Sequence, residues 1–353
     1  MALDDYLLLG RSGLRVSPLA LGTMTFGQDW GWGADEDEAR RIFDRYLELG
    51  GNFVDTANVY TEGSAERLLG RFLQGRRDRV VVASKYTLSL QPGDPNAGGN
   101  HRKSLVRSVE STLRRLDSDY LDLLYLHAWD DTTGAEEIMR AMDDLVRAGK
   151  LLYAGVSDIP AWQVARMQTL AEWRDWAPLV ALQIEYSLIQ REVEHELLPM
   201  AGALGLAVLA WSPLGSGVLT GKYSAADLSA PLQEGATGSR RGVAQVNGAL
   251  TARSLEIAAR VRQVAGDVGA TPAQVALAWL LQRPGKRPIP ILGARTLGQF
   301  EENLAALDVM LTPSQLVMLD TASQAPAPFP HSFLQMPLPR QLISGGTRIA
   351  GRA

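Results

Sequence analysis

The chain contains no cysteine among its 353 residues, which excludes disulfides, thiol nucleophiles and Cys-ligated zinc. Histidine is scarce at four, and no His pair sits at metal-ligand spacing, so no metal is expected. Lysine is almost as rare: Lys85, Lys103, Lys150, Lys222 and Lys286 stand against thirty arginines (35 basic residues less five). Positive charge is not in excess. The formal net charge is -4, which argues against nucleic acid or a membrane surface as the dominant partner. No run approaches the ~18 apolar residues of a membrane span. The acidic start, Met1-Ala2-Leu3-Asp4-Asp5, precedes an apolar stretch too short for a signal peptide. With no targeting or membrane signal, a reducing cytoplasm is the expected location.

What is present is an ordinary globular composition, 46% hydrophobic and 21% charged, on a chain long enough to bury a large core. Short apolar runs alternate with longer helical periods. The candidate strands are Leu19–Gly22, Phe53–Ala57, Val80–Lys85, Leu121–His127, Tyr153–Ser157, Leu182–Tyr186, Ala207–Trp211 and Ile289–Leu292. Amphipathic stretches between them include Glu36–Leu49, Lys103–Leu116, Ala135–Ala148, Pro160–Trp173 and Pro272–Gln282. Thr271-Pro272 places a capping hydroxyl before a first-turn proline, and Gly149 and Gly205 suit helix ends. Alternating strands and helices imply a parallel sheet with right-handed crossovers. Eight such strands favour a closed (β/α)8 TIM barrel, and no Gly-x-Gly-x-x-Gly turn follows the first of them. A hairpin within Leu7–Val16 precedes the barrel. Lys222–Asn247 reads as a long loop, and the five prolines after Gln324 predict an irregular tail or lid. The expectation is one domain over 1–353, with the barrel at about 17–323 and the tail at 324–353.

Several apolar runs end in ionisable residues. Asp55 closes one run with Tyr60 in the loop beyond, Lys85 closes the next, and His127 closes a third. A charge at the end of a buried strand is costly without a purpose, and the C-terminal rim of a parallel barrel is where catalytic groups sit. Taken singly, each has a bland alternative: a turn aspartate, a packing tyrosine, a snorkelling lysine, a rim histidine.

Asp55-Thr56-Ala57-Asn58-Val59-Tyr60, followed by Gly63 and Glu66, resembles the signature of the aldo-keto reductases. Leu21-Gly22-Thr23-Met24-Thr25-Phe26-Gly27, Ser84-Lys85-Tyr86, Leu124–His127 and Gly155-Val156-Ser157 are similar to further motifs of that family. So are Gln183 with Glu185-Tyr186-Ser187, Trp211-Ser212-Pro213-Leu214, and Gly293-Ala294-Arg295 before Glu301-Glu302-Asn303. They occur in family order from about Leu9 to Met318, in the branch of aryl-alcohol dehydrogenases and potassium-channel β subunits. The resemblance implies carbonyl reduction by a nicotinamide, with Asp55, Tyr60, Lys85 and His127 as the catalytic tetrad. Tyr60 would donate the proton, and an ammonium beside it should favour the phenolate and lower its pKa. Asp55 would hold Lys85, and His127 would orient the carbonyl.

The resemblance also implies a cofactor site of Gly22, Thr23, Met24 and Asp55, with Ser157, Asp158 and Gln183 at the nicotinamide carboxamide. Asp158 replaces the family asparagine; it either accepts from the carboxamide NH₂ or turns away to cap the helix near Pro160. Trp211 would stack on the ring, with Ser212, Leu214, Ser216 and Lys222 along the pyrophosphate. Gly293 and Arg295 would lie at the 2′-phosphate, Gln299 where some members carry a second arginine, and Glu302 and Asn303 at the adenine. The cofactor implied is NADPH/NADP+, with NADH left open. Trp30, Trp32 and Trp129, together with Tyr60 and His127, are the candidate substrate contacts for an aromatic or bulky apolar small-molecule carbonyl or alcohol. Two other classes compete. One is a regulatory nucleotide-binding subunit of the same fold; the other is a glycoside hydrolase using Asp55 and Glu185 as paired carboxylates.

Overall fold

A computed structural model describes residues 1–229, 240–283 and 287–348. Two short antiparallel strands, β1 (Leu7–Leu8) and β2 (Arg15–Val16), form the expected hairpin. The runs that follow are β3 (Ala20–Gly22), β4 (Phe53–Asp55), β5 (Val81–Tyr86), β6 (Leu121–Leu126) and β7 (Leu151–Ser157). After them come β8 (Leu179–Glu185), β9 (Ala207–Trp211) and β10 (Ile289–Leu292). All eight pair in parallel and close on themselves, with β10 beside β3. Each has apolar contact on both faces, toward the barrel interior and toward the helices. That is why the strands read as continuous hydrophobic runs rather than alternating ones.

The interior is filled by Ala20, Phe53, Val81, Leu123, Val180, Leu209 and Ile289. The hairpin plugs the bottom: Leu9 is fully buried in this cluster, and Gly10 lies against the entry to β8 and β9. A Cβ on Gly10 would come within 2.2 Å of the Val180 carbonyl oxygen, and its φ of +59° is left-handed, so only glycine fits that approach. The C-terminal end of the barrel is left open to the loops.

Helices cover the outside. Asp35 caps Glu36–Glu48 by accepting from the Glu38 N–H, and Thr271 forms a capping box with Gln274 at the start of Pro272–Leu281. Gly205 ends Leu197–Leu204 in the left-handed conformation, and Gly149 is left-handed after Ala135–Arg147. Ser64–Phe72 supplies the helix between β4 and β5; its buried face includes Glu66, which accepts from the Ser84 hydroxyl and pairs with Arg115.

Two segments are more ordered than their composition implies. The Lys222–Asn247 stretch contains helical Ala225–Ser229 and Arg240–Val246, with 230–239 outside the described residues. The tail forms helical turns at His331–Leu334 and Pro337–Ile343. Its prolines do not forbid them, because Pro330 stands at the N-cap and Pro337 at the start of the first turn, where no N–H is needed. Among the described residues, no single helix is long and apolar enough to cross a membrane.

Candidate active site

Parallel closure brings the ends of distant runs to one rim. Gly22 pairs with Asp55, Ser157 with Gln183, and Glu185 with Trp211 across neighbouring strands. Lys85, one residue short of the β5 end, points inward at 1% exposure, and Asp55 is 2% exposed. The Lys85 ammonium donates to Asp55 Oδ1 at 2.5 Å, to the Thr56 carbonyl at 2.9 Å and to the Tyr60 hydroxyl oxygen at 3.0 Å. All three ammonium donors are therefore used. Gln183, reaching across the ring from β8, donates its amide to the other Asp55 oxygen at 2.8 Å.

Tyr60 opens a 3₁₀ turn over Tyr60–Gly63 in which Thr61 (φ 44°), Glu62 (φ 55°) and Gly63 (φ 83°) are all left-handed. A β-branched residue in that region is a genuine outlier, so something must hold it. Thr61 is fully buried, donates to the Phe26 carbonyl at 2.7 Å and accepts from the Ala65 N–H at 3.0 Å. Those two bonds tie the Tyr60 turn to the β3 loop and to the next helix. His127 faces the phenol edge-on, with ring centroids 6.1 Å apart.

The electrostatics differ in one respect from the sequence expectation. Burial raises the Tyr60 pKa; Lys85 opposes it, but Asp55 adds to it, and the net direction is up. The phenol is therefore protonated in the resting site. For Lys85, burial favours the neutral amine, yet Asp55 and Tyr60 more than offset it, and its pKa ends above the ordinary value. His127 is pushed down to about 3 by burial and by the Lys85 charge, so its imidazole is neutral at physiological pH.

A cavity of about 430 Å³ opens directly above these groups. Its lining takes in Asp55, Tyr60, His127, Ser157, Asp158 and Gln183 at one end, and Ser212, Leu214, Ser216, Gly293 and Asn303 further out. Gly22 and Met24 also line it, and Trp211 stands between the two ends. Trp30 and Trp32 hang over the mouth with rings 5.8 Å apart; a bridge between Phe26 and Ala34 closes the loop that carries them. Lys222 lies at the outer end, its ammonium 3.1 Å from where a Cβ on Gly217 would stand. A flat aromatic wall, a strip of polar groups beside it and a cation at the far end fit a nicotinamide nucleotide.

The second course anticipated for Asp158, capping the helix near Pro160, is not taken. The helix starting at Ala161 has no side-chain cap, and the carboxylate instead accepts from the Trp211 indole N–H at 3.1 Å. Burial raises its pKa, with the Trp211 and Ser157 hydrogen bonds and Lys85 pulling the other way. Glu185 does not share the cavity with Asp55. It lines a second hollow behind Trp211, where burial and the neighbouring Asp158 push it up to about 7. Asp55 is moreover committed to Lys85 and Gln183, so the two carboxylates do not form a hydrolase pair.

Other expected residues are not brought to the cavity wall. Thr23 is buried behind it, donating to the Asp55 carbonyl. Trp129 packs on the outer core and donates its indole N–H to Asp131. Arg295, Gln299 and Glu302 lie beyond the lining: Gln299 accepts from the Arg295 backbone N–H at 3.1 Å, and Glu302 is exposed. Conversely, Thr25, Val59, Leu88, Val243 and Asn247 line the cavity without having been singled out. Thr25 and Val59 lie inside the family-like motifs and could have been found there; Val243 and Asn247 come from the low-complexity stretch and carry no local signal.

The aldo/keto reductase family model matches residues 18–324. The norsolorinic acid reductase stcV of Emericella nidulans is 36% identical over 333 residues, covering 92% of this chain and 82% of that protein. An aryl-alcohol dehydrogenase [NADP(+)] of Phanerodontia chrysosporium is 35% identical, over 90% of this chain and 86% of its own. The uncharacterized oxidoreductase YrpG of Bacillus subtilis is 37% identical, over 91% and 97% respectively.

Proposed function

The chain belongs to the aldo/keto reductase family and is an oxidoreductase, and from that premise we propose that it reduces an aromatic or bulky apolar aldehyde or ketone with NADPH, and oxidises the alcohol in reverse. The observation that carries this proposal is the buried Lys85 ammonium, held between Asp55 and the Tyr60 hydroxyl under an open, largely apolar cavity. A bound nicotinamide supplies the hydride.

Tyr60 supplies the proton. It rests protonated, and Lys85 at 3.0 Å stabilises the phenolate only as the proton leaves. That interaction strengthens along the reaction, which is the condition for acceleration rather than mere binding. Asp55 keeps Lys85 charged in a site that burial would otherwise neutralise. His127, neutral, offers an uncharged hydrogen bond to the carbonyl oxygen, and its position against the Tyr60 ring edge aims that oxygen at the phenol.

Trp211 is assigned to the nicotinamide face and Ser157, Asp158 and Gln183 to its carboxamide. Gly22 and Met24 form the floor, with Thr23 behind them donating to the Asp55 carbonyl. Ser212, Leu214, Ser216 and Lys222 flank the pyrophosphate, Gly293, Arg295 and Gln299 the 2′-phosphate, and Glu302 and Asn303 the adenine. The NADP(+) dependence in the name of the Phanerodontia relative supports the phosphate preference. The tryptophans at the mouth, Trp30 and Trp32, support an aromatic or bulky substrate.

The test is a fluorescence titration with NADPH and with NADH, followed by Tyr60→Phe. Quenching of the cavity tryptophans at micromolar NADPH is expected. The variant should lose carbonyl reduction by roughly 10²–10⁴-fold with cofactor binding unchanged. Retained turnover would refute the proton-donor role, and absence of binding by either nucleotide would refute the hydride chemistry.

A further inference from the structure

The cavity is electrostatically lopsided. Among the described residues, its lining contains no lysine and no arginine. The cation beneath it, Lys85, is bonded to Asp55, and the next, Lys222, sits at the outer end beside Gly217. His127 adds no charge, because burial and Lys85 hold it neutral.

Asp158 is the exception. Asp158 lines both this cavity and the hollow behind Trp211, its carboxylate is hydrogen-bonded to the neutral Trp211 indole and Ser157 hydroxyl, and no arginine or lysine among the described residues forms an ion pair with it. Its backbone is fixed in the left-handed region at φ 46°, and the helix that follows does not draw the side chain away. The negative charge reaches the reacting end: Asp158 is one of the groups that raise the Tyr60 pKa. Behind it, Glu185 adds a second carboxyl group on the far side of Trp211. An anion brought to Tyr60 and His127 would meet the like charge of Asp158, while Lys85, the cation beside Tyr60, is already bonded to Asp55.

We propose that the substrate end of this cavity selects neutral or cationic carbonyl compounds against anionic ones, and that Asp158 is the residue that sets this selection. The proposal rests on the reductase function given above. A like charge entering a partly desolvated cleft is disfavoured by roughly tenfold or more. A neutral aromatic aldehyde is unaffected, and a cationic one gains.

The experiment compares kcat/KM for 4-formylbenzoate, its methyl ester and 4-(trimethylammonio)benzaldehyde, with saturating NADPH at pH 8 and low salt. The wild type should prefer the ester over the carboxylate, with the trimethylammonio compound also favoured over the carboxylate. In Asp158→Asn the ester-to-carboxylate ratio should fall by about tenfold, whereas Asp158→Glu should keep it. Effects on cofactor binding and intrinsic aldehyde reactivity cancel in that ratio of ratios. An unchanged ratio in Asp158→Asn, or a wild type that takes the carboxylate as readily as the ester, overturns the proposal. Independently of any variant, raising salt from roughly 20 mM to roughly 500 mM should narrow the wild-type ratio, because Asp158 is solvent-exposed. A salt-independent ratio also overturns it. If wild type binds NADPH yet reduces none of the three, the reductase function itself falls, and this selection with it.

Discussion

Asp55→Asn removes one charge from the centre of the site and almost no volume. The amide retains a carbonyl oxygen to accept from Lys85, so the packing and most of the hydrogen bonding survive. What disappears is the negative charge that offsets burial of an ammonium only 1% exposed. In the wild type, burial drives Lys85 toward the neutral amine, and Asp55 and Tyr60 reverse that, leaving its pKa above the 10.5 of a free lysine. Without Asp55, burial dominates and the folded-state pKa falls below the unfolded one. Breaking a buried pair from one side costs about 3–5 kcal/mol at neutral pH. The pH dependence then has opposite sense in the two proteins. Between the lowered folded pKa and 10.5, the unfolded variant binds one proton more than the folded one. Its stability therefore rises with pH, by about 1.4 kcal/mol per unit. In the wild type the folded state keeps its proton longer, so Lys85 contributes fully below 10.5 and loses its contribution as pH rises through the raised value. The gap between the proteins should thus narrow from pH 7 to pH 10 in urea unfolding followed by tryptophan fluorescence. A loss below about 1 kcal/mol, or a gap that stays constant or widens with pH, would refute the reasoning.

Three further outcomes are expected. Because Tyr60 is raised and His127 lowered to about 3, kcat/KM for reduction should show no His127 break between pH 5 and 8 and should fall only above pH 10. An inflection near 6.5 that His127→Gln abolishes would contradict this. Arg295→Ala should weaken NADPH binding by at least about tenfold while NADH binding changes little, since a charge-assisted phosphate contact is worth roughly 1.5–3 kcal/mol. Equal losses in a nucleotide titration would remove Arg295 from the 2′-phosphate. Thr61→Val should destabilise by about 2–4 kcal/mol in denaturant unfolding, because the Phe26 carbonyl and Ala65 N–H are both left unpaired. Thr61→Ser should restore most of that, along with turnover; a valine variant as stable and active as wild type would mean the turn holds Tyr60 without it.

The eight barrel strands were legible in the sequence because each is buried on both faces, and burial writes itself into a strand as an unbroken apolar run. For the same reason the ionisable residues ending those runs, Asp55, Lys85 and His127, stood out: nothing else in a buried strand is charged without consequence. Their order along the chain, and that of the motifs around them, was enough to indicate the family and the catalytic groups. Direction was not encoded in the same way. Past a strand end the period is lost, so tryptophans in the loops could take different courses, with Trp30 and Trp32 over the cavity and Trp129 turned to the outer core. The bond from Gln183 to Asp55 joins residues 128 apart and exists only because the barrel closes. The Tyr60 pKa direction, the separation of Glu185 from Asp55, and the turn of Asp158 onto Trp211 likewise depend on distances across the ring and on how much protein surrounds each group. Local pattern determined which residues lie at the rim; tertiary closure decided which of them meet, because electrostatics and hydrogen bonds act through space rather than along the chain.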